Sequence, residues 1–213
     1  ILDPEATYSL PARQVANGVV DSFIHVVEQY LTYPVNAKVQ DAFSEGLMKV
    51  IYEEGIKVLD HPNDYDIRAN LMWAATNALN VWIGQGVPQD WSSHRMGYAL
   101  TAQFGLDHAQ TLAILLPGVM TYMFKEKQVK LARMGEVVFN ITEGTEEERA
   151  RKTIVACEEF FRRMGLKTRL SECGIKESDL DALAAPVDKQ GWHLGEHHNI
   201  DSKVTRDILM LRL

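Results

Sequence analysis

The sequence predicts an all-α protein, a multi-helix bundle, and three observations lead there. Apolar residues recur at helical spacing through most of the 213 residues. No run alternates apolar and polar residues for long enough to form a half-buried strand. Helix-breaking residues gather in short groups between the periodic segments, as in Asp60, Pro62, Asn63 and Asp64 or in "GQGVPQD", residues 84 to 90.

The elements follow in order. "ILDPEATYSLP" has neither an initiator Met nor a signal-peptide pattern, and reads as the end of a strand leaving another domain, so the chain is expected to be a piece of a longer protein. From Pro11, a favourable first-turn residue, Val15, Val19, Val20, Phe23, Val26, Val27, Tyr30 and Leu31 draw one wide stripe that ends before Pro34. A second helix is expected over Ala37 to Leu59, with Phe43, Leu47, Val50 and Ile51 inward. A third, from Asp66 to Ile83, is rich in Ala, Asn, Trp73 and Trp82, and reads as buried on more than one side. After the loop at 84–90, helices over 91–103 and 108–116 flank Gly105, and Pro117–Gly118 is expected to interrupt the latter. Further helices are expected near 127–138, 147–164, 177–185 and 202–211, with no internal repeat.

Composition narrows the function. The chain is 46% hydrophobic and 24% charged, which suits one compact domain, residues 1–213. Its net charge is −7, and bases such as Lys125, Lys127, Arg162 and Arg163 are dispersed, so nucleic acid is not an expected partner. The longest apolar runs, such as Leu112–Leu116, fall far short of the roughly 20 residues of a membrane span. Cys157 and Cys173 form no C-x-x-C pair; neither a disulfide framework nor a thiolate metal site is indicated, and a reducing, cytoplasmic setting is expected.

The residues able to do chemistry are acids and histidines. Asp21 and His25 stand at i and i+4, so they project from one helix face about a turn apart. That spacing suits two ligands of one metal or, alternatively, a helix-surface ion pair. The apolar residues around them, Val19, Val20, Phe23, Ile24, Val26 and Val27, favour the ligand pair, because a buried carboxylate needs a strong partner. His94 and His108 are fourteen residues apart. On one unbroken helix they would sit about 21 Å apart; a turn at Gly105, a residue suited to a left-handed helix end, lets them converge. One carboxylate and three imidazoles suit Fe2+ or Zn2+ and disfavour Mg2+ or Ca2+. His193, His197 and His198 in "GWHLGEHHNI" compete as a metal site or form a polar loop, and His61 is expected in an exposed turn. "GQG" at 84–86 follows a helix and is not a dinucleotide fingerprint, nor is there a phosphate-binding loop or a Ser/His/Asp signature.

"LPARQVANGVVDSFIHVVEQYL", "GVPQDWSSHRMGYALTAQFGLDHAQTLAILLP" and "NITEGTEEER" resemble the C-terminal helical half of the iron-containing (group III) alcohol dehydrogenases, and most of all their NADPH-dependent butanol dehydrogenase and aldehyde reductase branch. The resemblance spans nearly the whole chain. It implies a dehydroquinate synthase-like two-domain plan, in which a dinucleotide-binding domain precedes a helical metal domain and only the second is present here. It also implies a metal, Fe2+ or Zn2+, held by Asp21, His25, His94 and His108, with NADP or NAD bound by the other domain. Hydride exchange between the nicotinamide and a small alcohol or aldehyde follows, in a full-length protein that dimerises. Two positions depart from the branch: Tyr98 and Phe104 stand where it commonly has histidines, and Tyr98 keeps a hydroxyl for a catalytic role.

Trp73, Trp82, Trp91 and Phe104 are candidates for an apolar substrate wall, with Trp91 and Phe104 assigned to the pocket and helix-core packing as the alternative. The alternative function is a non-catalytic helical metal-binding or interaction module. The related glycerol dehydrogenase and dehydroquinate synthase types share the two-domain plan, but the Asp21/His25 pair favours the alcohol dehydrogenases.

Overall fold

A computed structural model describes all residues, 1–213, as nine α-helices with no strand beyond an isolated bridge between Leu194 and Ile200. The helices are α1 Ala12–Tyr30, α2 Lys38–Val58, α3 Tyr65–Ala78, α4 Ser92–Phe104, α5 His108–Tyr122, α6 Phe124–Phe139, α7 Glu146–Arg163, α8 Leu180–Lys189 and α9 Ser202–Met210. The all-α expectation holds. No helix is long and apolar enough to cross a membrane.

Local chemistry sets many of the boundaries. Asp64 caps α3 by accepting from Ile67 N at 3.1 Å, and Asp201 caps α9 by accepting from Val204 N at 2.8 Å. Thr145 and Glu148 form a reciprocal capping box at α7, whose first turn is acidic and whose last turn carries Arg162 and Arg163, both favourable to the helix dipole. Gly105 ends α4 at φ +66, the left-handed conformation that lets the chain turn into α5.

Several boundaries differ from expectation. Pro11 precedes α1 as its cap residue. The first residues make a single 3-10 turn, Pro4–Thr7, capped by Asp3, where a strand end was expected. The third helix stops at Ala78, not near Ile83. There Asn80 accepts from Trp82 N at 3.1 Å and donates to Asn77, and Val81 takes φ 63, so local side-chain bonds replace the helical ladder. Trp82 is accordingly exposed, at 49%, and Trp73 faces solvent from within α3, at 62%. The buried stripe of α2 is Ser44, Met48, Ile51, Gly55 and Val58, leaving Phe43 and Val50 outside; Phe43 instead packs on Trp82, ring centroids 4.1 Å apart. Gly55 lets α2 approach α1, since a Cβ there would meet Val19 Cγ1 at 2.6 Å.

α5 runs unbroken through Pro117 and Gly118. Its flanks explain why. Leu112, Ala113, Leu116 and Met120 enter a large core with α1, α2, α3, α6 and α7, while Ile114, Leu115 and Val119 enter a second core with α4, α8 and α9. A helix buried on all sides is held by packing that outweighs one missing backbone donor. Gly118 admits Arg212, whose Nε donates to Ile114 O at 2.9 Å. α8 likewise continues through Pro186.

Candidate metal centre

Three elements bring the site together. α1 presents Asp21 and His25 one turn apart, α4 presents His94 in its first turn, and the turn at Gly105 places His108 at the start of α5. Asp107, just before His108, is clamped to α1: it accepts from Arg13 Nε at 2.6 Å and from Asn17 Nδ2 at 2.9 Å. α4 and α5 cross closely at Gly97, where a Cβ would lie 2.5 Å from Thr111 Oγ1. The same hydroxyl donates to His108 O at 2.7 Å.

The result is a convergence on one atom. Asp21 Oδ1 lies 3.8 Å from His25 Nε2, 3.7 Å from His94 Nε2 and 3.7 Å from His108 Nε2. The ligating atoms of Asp21, His94 and His108 all fall within 4.8 Å of one another, and the His25 ring stacks on that of His94, centroids 4.5 Å apart. Asp21 Oδ1 and His94 Nε2 are buried and have no hydrogen-bond partner. Buried polar atoms are almost always satisfied, so this orphaned pair is the expected mark of an ion site. Ligand atoms about 2.0–2.2 Å from one ion in a tetrahedron sit roughly 3.3–3.6 Å apart, close to the 3.7–3.8 Å from Asp21 Oδ1 to each imidazole, while His25 falls outside the group of three whose ligand atoms all lie within 4.8 Å of one another. The residues therefore fit a divalent ion of the Fe2+ or Zn2+ kind.

Electrostatics separates the histidines. Burial lowers His25, and the neighbouring His94 and His108 add to that against the pull of Asp21, bringing it to about 4. Burial also disfavours charge on His94, but the Asp21 and Glu28 carboxylates outweigh it and raise it to about 9. Asp21 is held below its ordinary value: burial opposes this, and His94 leads the three histidines in overcoming it.

Glu28 escaped the sequence reading. It is buried, at 2% exposure, and its two oxygens are divided between Ser93 N, which donates at 2.7 Å, and His94 Nδ1. A proton on Nδ1 leaves Nε2 as the free lone pair aimed at Asp21. The available signal was position, because Glu28 follows His25 by three and Asp21 by seven, on one helix face inside an apolar stretch.

The aromatic candidates divide. Trp91 meets His25 and His94 edge to face, with centroids 5.6 and 5.1 Å apart, and its indole N–H donates to Gln89 Oε1 at 2.6 Å. It walls the site and is half-buried, not part of the helix core. Tyr98, half exposed, lies parallel to His108 at 6.3 Å. Phe104, at the exposed end of α4, has no ring partner in the site. His193, His197 and His198 lie apart from the cluster: His198 Nδ1 meets His193 O at 3.2 Å and His197 packs on Tyr33. His61 is exposed in its turn, as expected.

The family model for the C-terminal part of the Fe-containing alcohol dehydrogenases matches residues 15–210. The chain belongs to the iron-containing alcohol dehydrogenase family. The chain is 52% identical, over 209 residues, to the NADPH-dependent aldehyde reductase YqhD of Escherichia coli, covering 98% of the chain and 54% of that protein. It is 40% identical over 210 residues to NADP-dependent alcohol dehydrogenase 3 of Entamoeba histolytica, covering 98% and 53%. The substrate- and cofactor-free structure of E. coli YqhD superposes with a TM-score of 0.97 at 50% identity, over 100% of the chain and 56% of its own. NADH-dependent butanol dehydrogenase A of Thermotoga maritima gives 0.91 at 29%, over 99% and 55%. The chain thus spans about half the length of the relatives it matches.

Proposed function

We propose that Asp21, His25, His94 and His108 form the divalent-metal centre of an oxidoreductase that interconverts small alcohols and aldehydes with NADP(H) or NAD(H). The observation that carries this is the approach of three imidazole Nε2 atoms to within 3.8 Å of one buried, unpartnered carboxylate oxygen. Family membership and the reductases and dehydrogenases among the relatives support the same chemistry. The nicotinamide is assigned to a dinucleotide-binding domain outside these 213 residues, in a full-length homodimer.

Asp21, His25, His94 and His108 would hold Fe2+ or Zn2+, which when bound would supply Lewis acidity toward a substrate oxygen. The chain's own residues prepare that role. Glu28 accepts the Nδ1 proton of His94 and keeps Nε2 basic. Burial keeps His25 neutral at physiological pH, so its lone pair is free without displacing a proton. Trp91 covers the edges of His25 and His94 and excludes water from that side, its indole held by Gln89. Tyr98 borders the exposed side of His108, where its hydroxyl can orient a substrate oxygen.

The full-length protein, stripped with a chelator, should lose NADPH-dependent reduction of a short aliphatic aldehyde and regain it with Fe2+ under argon or with Zn2+. The His94→Ala variant should regain nothing. Undiminished turnover in that variant would sink the proposal.

A further inference from the structure

Away from the four ligands lies a second buried polar cluster centred on Lys127 of α6. Its ammonium donates to Leu31 O at 2.6 Å, to Asp90 Oδ2 at 2.7 Å and to both Glu196 oxygens at 3.0 and 3.1 Å. The side chains of Lys127, Asp90 and Glu196 are 2–3% exposed. Against its burial, Asp90 is held below the ordinary carboxylate range chiefly by the Lys127 charge.

Two of the acceptors belong to segments that carry the site. Leu31 closes α1, the helix of Asp21, His25 and Glu28. Asp90 begins the turn into α4: its other oxygen accepts from Ser92 N at 2.8 Å and from the Ser92 hydroxyl, and its own N–H donates to Glu28 O at 3.0 Å. Three and four residues after Asp90, Ser93 N and His94 Nδ1 both reach Glu28. Trp91, between them, sits at φ 58, a backbone state that a bulky residue keeps only when its surroundings hold it there. Glu196 fastens the 191–200 loop to the same ammonium. A buried ion cluster is a poor device for stability alone, since apolar residues of equal volume often do as well.

We propose that Lys127 is a positioning residue of the metal centre: through Asp90 and the end of α1 it fixes the first turn of α4, and with it the direction of His94 Nε2. This rests on the metal-centre reading and extends it to a residue on a different helix that touches no ligand. Glu28 is the last link and Lys127 the anchor.

The test uses Co2+ in the full-length, chelator-stripped protein, read by its visible d–d bands and by its dissociation constant. Lys127→Met should weaken Co2+ about 10- to 100-fold, the range for lost support of a ligand, and alter the band pattern. Asp90→Asn should do the same, because an amide accepts on one side only and turns a donor toward either the Lys127 ammonium or Ser92 N, the two contacts through which Lys127 holds the turn, and it serves as the test if Lys127→Met does not fold. A lower melting temperature with wild-type affinity and wild-type bands in the folded variants would overturn the proposal and leave Lys127 a purely structural ion. Wild-type protein that gives no bands, or bands unchanged by His94→Ala, would instead refute the metal centre itself.

Discussion

The Nδ1 atom of His94, on α4, is bonded to the buried carboxylate of Glu28, on α1, and that contact decides which nitrogen faces Asp21. Glu28 serves two donors at once, since its other oxygen takes Ser93 N. Only a carboxylate can accept at both ends.

Glu28→Gln should therefore keep one of the two contacts and lose the other. Zn2+ affinity by calorimetry should fall about 10- to 100-fold. Glu28→Ala frees both donors and should fall further while also lowering the melting temperature, because Ser93 N is left buried without an acceptor. Wild-type affinity in Glu28→Gln would show that His94 does not need its tautomer fixed.

The raised His94 and lowered His25 pull stability in opposite directions in the metal-free protein. His25 titrates near 4 folded and about 6.5 unfolded. The unfolded chain thus binds the extra proton between those values, and stability falls as pH drops through that window. His94 titrates near 9 folded, so its contribution is fully present below about 6.5 and is lost as pH rises to about 9. The melting temperature of chelated protein should peak near neutrality, and His94→Ala should flatten the alkaline limb. Metal binding must displace the His94 proton, so Zn2+ affinity should climb about tenfold per pH unit up to about 9, well beyond the ordinary histidine range.

Of the four proposed ligands His108 is the most exposed, its side chain 39% accessible, so on that proposal truncation should remove a metal bond with little core disturbance. His108→Ala should reduce Zn2+ affinity strongly while shifting the stability of the metal-free protein by no more than about 0.5 kcal/mol, as for ordinary surface positions. Paired calorimetry and melting curves check both halves. Unaltered Zn2+ binding would remove His108 from the ligand set.

How far the sequence reached follows from range. α1, α4 and the turn at Gly105 were legible because they depend on local spacing and one glycine at positive φ, and these bring Asp21, His25, His94 and His108 toward one place. Lys127 was counted among dispersed bases, and "GWHLGEHHNI" drew attention to its histidines, whereas Glu196 is its buried charged member. Asp90, Lys127 and Glu196 meet across 37 and 69 residues of chain, and no local pattern records such a meeting. Pro117 misled for the same reason: a local rule against proline gives way where α5 is clamped between two cores. Trp73 and Trp82 were read as buried from the composition of the third helix, but Trp73 stands on the exposed face of α3 and Trp82 lies beyond its end at Ala78.

The spacing of His94 and His108 depends on a glycine three residues past His94. Gly97 is where α4 meets α5, and a Cβ there would stand 2.5 Å from Thr111 Oγ1 and 3.4 Å from Thr111 Cβ. Gly97→Ala should force the two helices apart, at about 1–3 kcal/mol for the overpacked contact. Because the same two helices carry His94 and His108, Zn2+ affinity should fall as well. The clash is with the hydroxyl, so adding Thr111→Ala should restore most of the stability and affinity, leaving only the small loss from the bond to His108 O. Thermal melting and calorimetry on the single and double variants form the cycle. If Thr111→Ala brings nothing back, the approach of α4 to α5 is not what sets the distance between the two histidines.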